Sequence, residues 1–474
     1  MLRRRRLRLR PSTMPDPMLS PLDRLAANLR RGGGRYALYP APCAFRPFTD
    51  AEFRAAVKAS NGDPIPAPIA LHFDIPAIQR SGFCGLDRPR HGVGQARADA
   101  YRDRLVREIG LVGSLFDRDR DVVQVSLAPG MTRWMDAGQV GELIESLDRH
   151  FHLRSADAVD FAMTLDLDTL GTTPLRDWAG LGFGRVGIGL AGVVEPGGPA
   201  AFDAGAIIGG VESVRAAGFS NLRVEVPYGL PGQCESALES LLAATIAAEP
   251  DRIGVRNCAI GTEDGLSSGV PEPMQARLLL RAADRLEEAG YLHVGLDVFA
   301  RPQDPLIAAR KHGSLHRDAL GYGVHGAVDL IGFGVAAISQ MGGCHAQNPL
   351  DLATWEARLD RGQRAVDHGI ELEDDDRIRA AVIQEILCHG RISTAVIEEQ
   401  FGLDFREHFA EALLRLAPLF EEGSLVPDGR TIQLDRIARL SARAVACCFD
   451  RWNRTHARKF TPQPPRTAQP GGGG

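Results

Sequence analysis

The sequence contains no C-x-x-C pair and no H-E-x-x-H, and its N-terminal glycine run, Gly32–Gly34, lacks the Lys-Ser/Thr of a phosphate loop and reads as a linker. The eight cysteines (Cys43, Cys84, Cys234, Cys258, Cys344, Cys388, Cys447 and Cys448) are too sparse over 474 residues for a secreted disulfide framework, so reduced thiols are expected. No apolar run approaches the ~20 residues that span a bilayer, which sets a membrane partner aside. A formal charge of -5 gives no basic surface for phosphates, and nucleic acid is not expected as a partner. What is left, 44% hydrophobic and 24% charged, is the composition of an ordinary globular protein, expected to be cytoplasmic. The chain is too long for one ordinary core and suggests a large α/β domain with smaller pieces.

The start, MLRRRRLRLR, is basic and free of acids. It fits an organelle-targeting leader or a disordered tail ahead of a start at Met14 or Met18, and residues 1–30 are expected to be a disordered basic tail. A lead-in segment, 31–64, follows. From 65 to 345 short apolar runs alternate with helical patterns. The predicted strands are Ile69–Ile75, Val122–Leu127, Val159–Leu165, Val186–Leu190, Leu222–Val226, Ile253–Cys258 and His293–Val298. The predicted helices are Ala96–Phe116, Ala137–His150, Gly205–Ala217 and Pro273–Ala289. Repeated βα units imply a parallel sheet with helices outside, and six or seven of them suit a partial (β/α) TIM-like barrel, although the periodicity alone would also suit a complete eight-unit barrel. Ligands of such sheets sit beyond the carboxyl ends of the strands.

After residue 350 the pattern turns helical: Leu352–His368, Asp375–His389, Thr394–Phe401 and Phe405–Leu416, then a turn-bearing hairpin at Pro427–Asp435 and a last helix, Arg436–Trp452. Residues 350–460 therefore read as a mainly helical, winged-helix-like C-terminal domain. Its plentiful acids favour an interaction or lid role over DNA binding. The Pro/Gly-rich end, 461–474, is expected to be disordered.

One run carries more than periodicity: Gly295–Leu296–Asp297–Val298–Phe299–Ala300–Arg301–Pro302, then Leu315–His316–Arg317, Gly321–Tyr322, Asp329–Leu330 through Ser339, and Ala346–Gln347–Asn348. Together with Arg35–Tyr36 and Tyr39–Pro40 near the start, and Tyr228–Gly229–Leu230–Pro231 with Gln233, it resembles the oxygen-independent coproporphyrinogen III oxidases, a radical-SAM family of haem biosynthesis. The resemblance runs in register from about residue 30 to 460. It implies a radical-SAM-type partial barrel. It also implies an activity, the oxidative decarboxylation of propionate side chains to vinyls. Three cysteines in C-x3-C-x2-C would hold a four-iron cluster whose open iron binds S-adenosylmethionine.

This sequence departs from that pattern. The matching stretch is Asp74–Ile75–Pro76–Ala77–Ile78–Gln79–Arg80–Ser81–Gly82–Phe83–Cys84. Ala77 and Ser81 stand where the first two cysteines belong and only Cys84 remains, and one thiolate cannot hold the cluster. The family's glycine loop appears as Ala128–Pro129–Gly130–Met131–Thr132. The other positions matched to cofactor contacts are His72, Met163, Ala191, Asp203, Glu225, Ala259 and Ile338. Glu225 is a conservative change and Ala259 is retained, but the polar contacts are otherwise lost. No cluster or S-adenosylmethionine site is therefore expected. On the substrate side, a ligand with four carboxylates calls for Arg and His. Arg301, Arg310, His316 and Arg317 are the candidates, with Asp297 beside them and Phe299 and Tyr322 to stack on pyrrole rings. Each of these residues also has a plain structural reading.

Other candidates are weaker. His312, His316, His325 and His345 share one loop-rich region without metal-ligand spacing, and Cys344 beside His345 offers haem ligation. His72 and Asp74 share a strand face and could form an acid–base pair. Cys447–Cys448 read as core thiols. Three functions follow. The first is a catalytically degenerate family member binding a porphyrin or haem as carrier, sensor or regulatory paralogue. The second is an active radical-SAM dehydrogenase with unforeseen cluster ligands. The third is an interaction protein using its C-terminal domain, with an active paralogue or a redox protein as partner.

Overall fold

Between residues 69 and 257 apolar side chains recur at alternate strand positions, and this alternation sets the layers. The computed structural model describes residues 20–31, 38–76, 94–153, 159–190, 204–230, 232–258, 270–326 and 328–452. Six strands, β1 (Ile69–Phe73), β2 (Asp121–Leu127), β3 (Asp160–Asp166), β4 (Phe183–Gly189), β5 (Asn221–Tyr228) and β6 (Arg252–Asn257), lie side by side in chain order, all parallel. Parallel neighbours need crossovers. The helices α3 (Gln95–Gly113), α4 (Ala137–His150), α5 (Ala204–Ala216) and α6 (Glu235–Ala247) lie in these crossovers, and α7 (Glu272–Glu288) follows β6. Two more helices precede them, α1 (Pro21–Arg31) and α2 (Asp50–Asn61).

Beyond β6 the chain turns back. The predicted strand His293–Val298 is instead a hairpin, β7 (Leu292–Gly295) and β8 (Val298–Ala300), with β8 antiparallel to β6. Leu296, at the left-handed φ of 45°, makes the break. A strand that the periodicity did not single out, β9 (Asp329–Phe333), pairs in parallel with β1 on the other edge. From β9 the sheet continues through β10 (Ile338–Met341), β11 (Cys344–Gln347) and β12 (His368–Glu371) to a short edge strand at Arg46–Pro47. At this one edge the sheet thus takes in β12, which follows residue 345, and Arg46–Pro47 of the lead-in segment. The predicted helix Leu352–His368 stops at Asp360 because the chain is needed as β12 against β11. The pairing path is open, as a partial barrel requires: among the described residues nothing joins its two ends.

Apolar strand residues such as Val125, Leu165, Ile188, Val224 and Val255 pack with Leu105, Leu143, Val211, Leu241 and Leu278 of the helices in one core. Each such side chain, fully buried, contributes about 1.5–3 kcal/mol. A second core joins Val294, Leu296, Val298 and Ala300 of the β7–β8 hairpin to the C-terminal helices α8 (Asp374–Gln384) and α9 (Ala442–Phe449), through residues such as Val382, Ile383, Val445 and Phe449. A three-stranded sheet of Arg391–Ser393, Leu425–Asp428 and Thr431–Leu434 completes a winged-helix-like end, where the hairpin was expected.

Helix α1 corrects the expectation of a disordered tail through residue 30. Leu22, Leu25, Ala26 and Leu29 fall at three- and four-residue steps and make one apolar stripe, with Leu25 fully buried. Arg24 Nη1 pairs with Asp435 Oδ2 at 2.7 Å, and the buried Asn28 Nδ2 donates to Ser441 Oγ at 3.1 Å. No helix among the described residues is long and apolar enough to cross a membrane. The expected tail at 461–474 and the linker glycines Gly32–Gly34 lie outside the described residues.

Candidate functional site

The same alternation that buries the apolar set turns polar side chains onto the concave face of the sheet. Strand register lines them up in rows. His72 lies beside Ser126, Ser126 beside Ala162 and Ala162 beside Arg185; further along, Thr164 lies beside Gly187 and Gly187 beside Arg223, while Glu225 lies beside Gly254. On β3, Phe161, Met163 and Leu165 are the buried, helix-facing set. Met163 is therefore core, and the strand-three residue that faces the cavity is its neighbour Thr164. This corrects the assignment of Met163 to a cofactor position. A shift of one residue along a strand exchanges its two faces.

The charges on this face are organised. Near the amino ends of the strands, Arg185 is held by Asp160 at 2.7 Å and Arg252 by the buried Asp304 at 2.8 Å. Further in, Glu225 lies between two guanidiniums, Arg223 at 2.7 Å and Arg256 at 3.6 Å. A Cβ on Gly254 would fall 2.4 Å from Glu225 Oε2 and 2.8 Å from Arg223 Nη2, so only glycine leaves space for this pair. Asp297, in the turn between β7 and β8, meets Arg443 of α9 at 3.2 Å. Burial would raise its pKa, but the fields of Arg443, Arg223, Arg256 and Arg317 prevail and hold its carboxyl below the usual range. Arg317 also lies over the ring of Tyr322 at 5.6 Å, and the Tyr322 hydroxyl donates to the Leu387 carbonyl at 2.8 Å.

Asp297, Arg317 and Tyr322 are thus brought together, whereas other candidates are placed elsewhere. Phe299 is fully buried in the sheet–helix core against His293 and cannot stack on a ligand ring. Arg301 follows β8 beside the amino end of β6, donating to the Pro250 carbonyl at 3.2 Å, at the end opposite the mouth. Its position follows from β8 running antiparallel to β6. Arg310 donates to the His293 carbonyl. His316 sits with Asp318 on a hairpin, its pKa lowered by burial against the pull of Asp318. Ile338 opens β10 and is partly exposed.

Gly130 takes φ 86° in a tight turn with Pro129, which the Met131 N–H closes onto the Ala128 carbonyl at 3.2 Å. Arg133 then ties this loop to the end of β3 through Asp166 at 3.2 Å and Asp168 at 2.7 Å. His72 Nδ1 bonds Ser126 Oγ at 2.8 Å, and its Nε2 is 4.0 Å from Asp74, whose pKa burial raises. Ala77, Ser81, Cys84, Ala191, Asp203 and Ala259 lie outside the described residues.

Cys344 and His345 are adjacent on a strand and leave it on opposite faces, both buried. Burial pushes the Cys344 thiol up to about 12 and the His345 ring down to about 4. Cys447 is buried in the second core and Cys448 packs against it. Cys258, at the end of β6, is disulfide-bonded, which corrects the expectation of reduced thiols throughout. Among the described residues no three His, Cys, Asp or Glu side chains converge as metal ligands would.

The sequence reading missed Arg223, Arg256 and Arg443. A signal for the first two was present: strands of a parallel sheet read as near-continuous apolar runs, so Arg223-x-Glu225 and Arg256 stand out as cavity-facing. Nothing local marks Arg443, which arrives from a helix 146 residues after Asp297.

No family model matches the chain. It is 31% identical over 435 residues to the oxygen-independent coproporphyrinogen III oxidase of Pseudomonas aeruginosa, covering 89% of this chain and 93% of that protein. It is 32% identical over 442 residues to the enzyme of that name from Escherichia coli, covering 90% and 94%. Among solved structures, the coproporphyrinogen III oxidase of Escherichia coli, described as a radical SAM enzyme, matches with a TM-score of 0.74 and 29% identity over 88% of this chain and 97% of that one. At such identity over such coverage, the chain belongs to the oxygen-independent coproporphyrinogen III oxidase family.

Proposed function

We propose that this protein binds a porphyrin or haem without performing radical-SAM chemistry, as a carrier, sensor or regulatory member of its family. The observation that carries the proposal is the donor set at the strand ends. A four-iron cluster needs three thiolates. Among the described residues beyond the carboxyl ends of the strands, cysteine sulfur occurs at Cys234 and at Cys258, and Cys258 is disulfide-bonded. Adding Cys84 still leaves fewer than three free thiols there.

The polar side of a cofactor site is also poorly served. Thr164 faces the cavity on β3 and carries no charge to pair with an ammonium. Glu225 is engaged by Arg223 and Arg256. A cluster with S-adenosylmethionine does not fit these residues. Tetrapyrrole binding draws its support from the family and from the arginine-rich concave face, which suits a ligand bearing carboxylates.

Two measurements test the reading. Titration of the full chain with coproporphyrin III and with haem, followed by the shift of their visible absorbance, is expected to saturate at one ligand per chain. Anaerobic incubation with iron and sulfide is expected to give no cluster by EPR. A reconstituted cluster that cleaves S-adenosylmethionine would sink the first part of the proposal, and failure to bind either tetrapyrrole would sink the second.

A further inference from the structure

Four guanidiniums, Arg223, Arg256, Arg317 and Arg443, gather round two carboxylates, Glu225 and Asp297, on the concave face. A third carboxylate, Asp318, lies within the field of Arg317. Among the described residues, counting all three acids as ionised still leaves a cation in excess. Unbalanced charge in a sheltered place costs free energy unless something pairs with it. The donors are unbalanced as well: the Nε–H groups of Arg223 and Arg443 are buried with no hydrogen-bond acceptor among the described residues. Orphaned buried donors in a folded protein call for a partner. Their side chains are not sealed off, being 28% and 19% exposed, and Arg256 is 33% exposed. A solute in the cavity can reach them.

We infer that Arg223, Arg256, Arg317 and Arg443 form a carboxylate-binding site inside the barrel. The planar guanidinium fork matches a carboxylate in two parallel hydrogen bonds, and offering it from several sides orients the ligand as well as holding it. The carboxylate has two sources: a propionate of a tetrapyrrole, which rests on the function proposed above, or a small dicarboxylate, which does not.

The test compares three probes on the full chain by calorimetric titration: coproporphyrin III, its tetramethyl ester and succinate. Wild type, Arg223→Gln and Arg256→Gln are used, each checked by thermal melting. If removing the Arg223 partner of Glu225 unfolds the chain, Arg256→Gln, whose contact is looser at 3.6 Å, still gives the reading. The expected result is that the free acid binds about tenfold or more tightly than the ester, and that either substitution weakens the acid about tenfold while leaving the ester unchanged. Succinate binding that the substitutions abolish, with no porphyrin bound, keeps the site and removes the tetrapyrrole reading. Equal binding of acid and ester, or variants that bind the acid like wild type, overturns the site and spares that reading. No binding of any probe overturns both.

Discussion

Glu108 is 1% exposed on α3, and three donors converge on it: the Gly334 N–H at 2.8 Å, Asn348 Nδ2 at 2.7 Å and Trp355 Nε1 at 3.4 Å. Burial lifts its pKa from 4.5 to about 8, against the pull of those hydrogen bonds. In the unfolded chain the carboxyl ionises near its ordinary value, so between about pH 4.5 and 8 the folded state holds the proton that the unfolded state has released. Stability contributed by this group is therefore full below pH 4.5, falls as pH rises and levels off above about pH 8. Glu108→Gln is expected to remove this dependence. It should also cost about 1–3 kcal/mol, since an amide turns an N–H toward one of the donors. Urea unfolding of both proteins across pH 5–9 is the measurement, and an unchanged slope in the variant would refute the assignment.

At the scale of the strand, one residue of register separates a core position from a cavity position. Met163→Ala is expected to lower the unfolding free energy by about 2–5 kcal/mol, as large-to-small core changes do. Porphyrin titration of the folded variant should match wild type, and a weakened titration would return Met163 to the site. Much of the sheet was legible beforehand because period-two and period-3.6 patterns report burial directly. The helix Ala137–His150 lies where the sequence predicts it. Three things were not legible. Antiparallel β8 has the same apolar pattern as a parallel strand, so the pattern does not show that Phe299 lies in the core or that Arg301 lies at the end opposite the mouth. The β1–β9 pairing joins segments some 260 residues apart, and nothing local encodes it. Arg443 meets Asp297 only through tertiary packing.

Across the whole molecule, the C-terminal helices do not have a core to themselves. Val294, Leu296 and Val298 of the sheet are buried against Val382, Ile386 and Val445. A chain ended after Leu372 would expose that apolar face of the hairpin and is expected to aggregate; size-exclusion chromatography giving a folded monomer would contradict this. The other long-range junction is smaller. Arg24–Asp435 and Asn28–Ser441 clasp α1 to the far end of the chain across more than 400 residues of sequence. Tension applied at the two ends of the chain therefore meets this clasp before it reaches the parallel strands. The first mechanical event under load is expected to be the release of α1, with the strands behind it still paired.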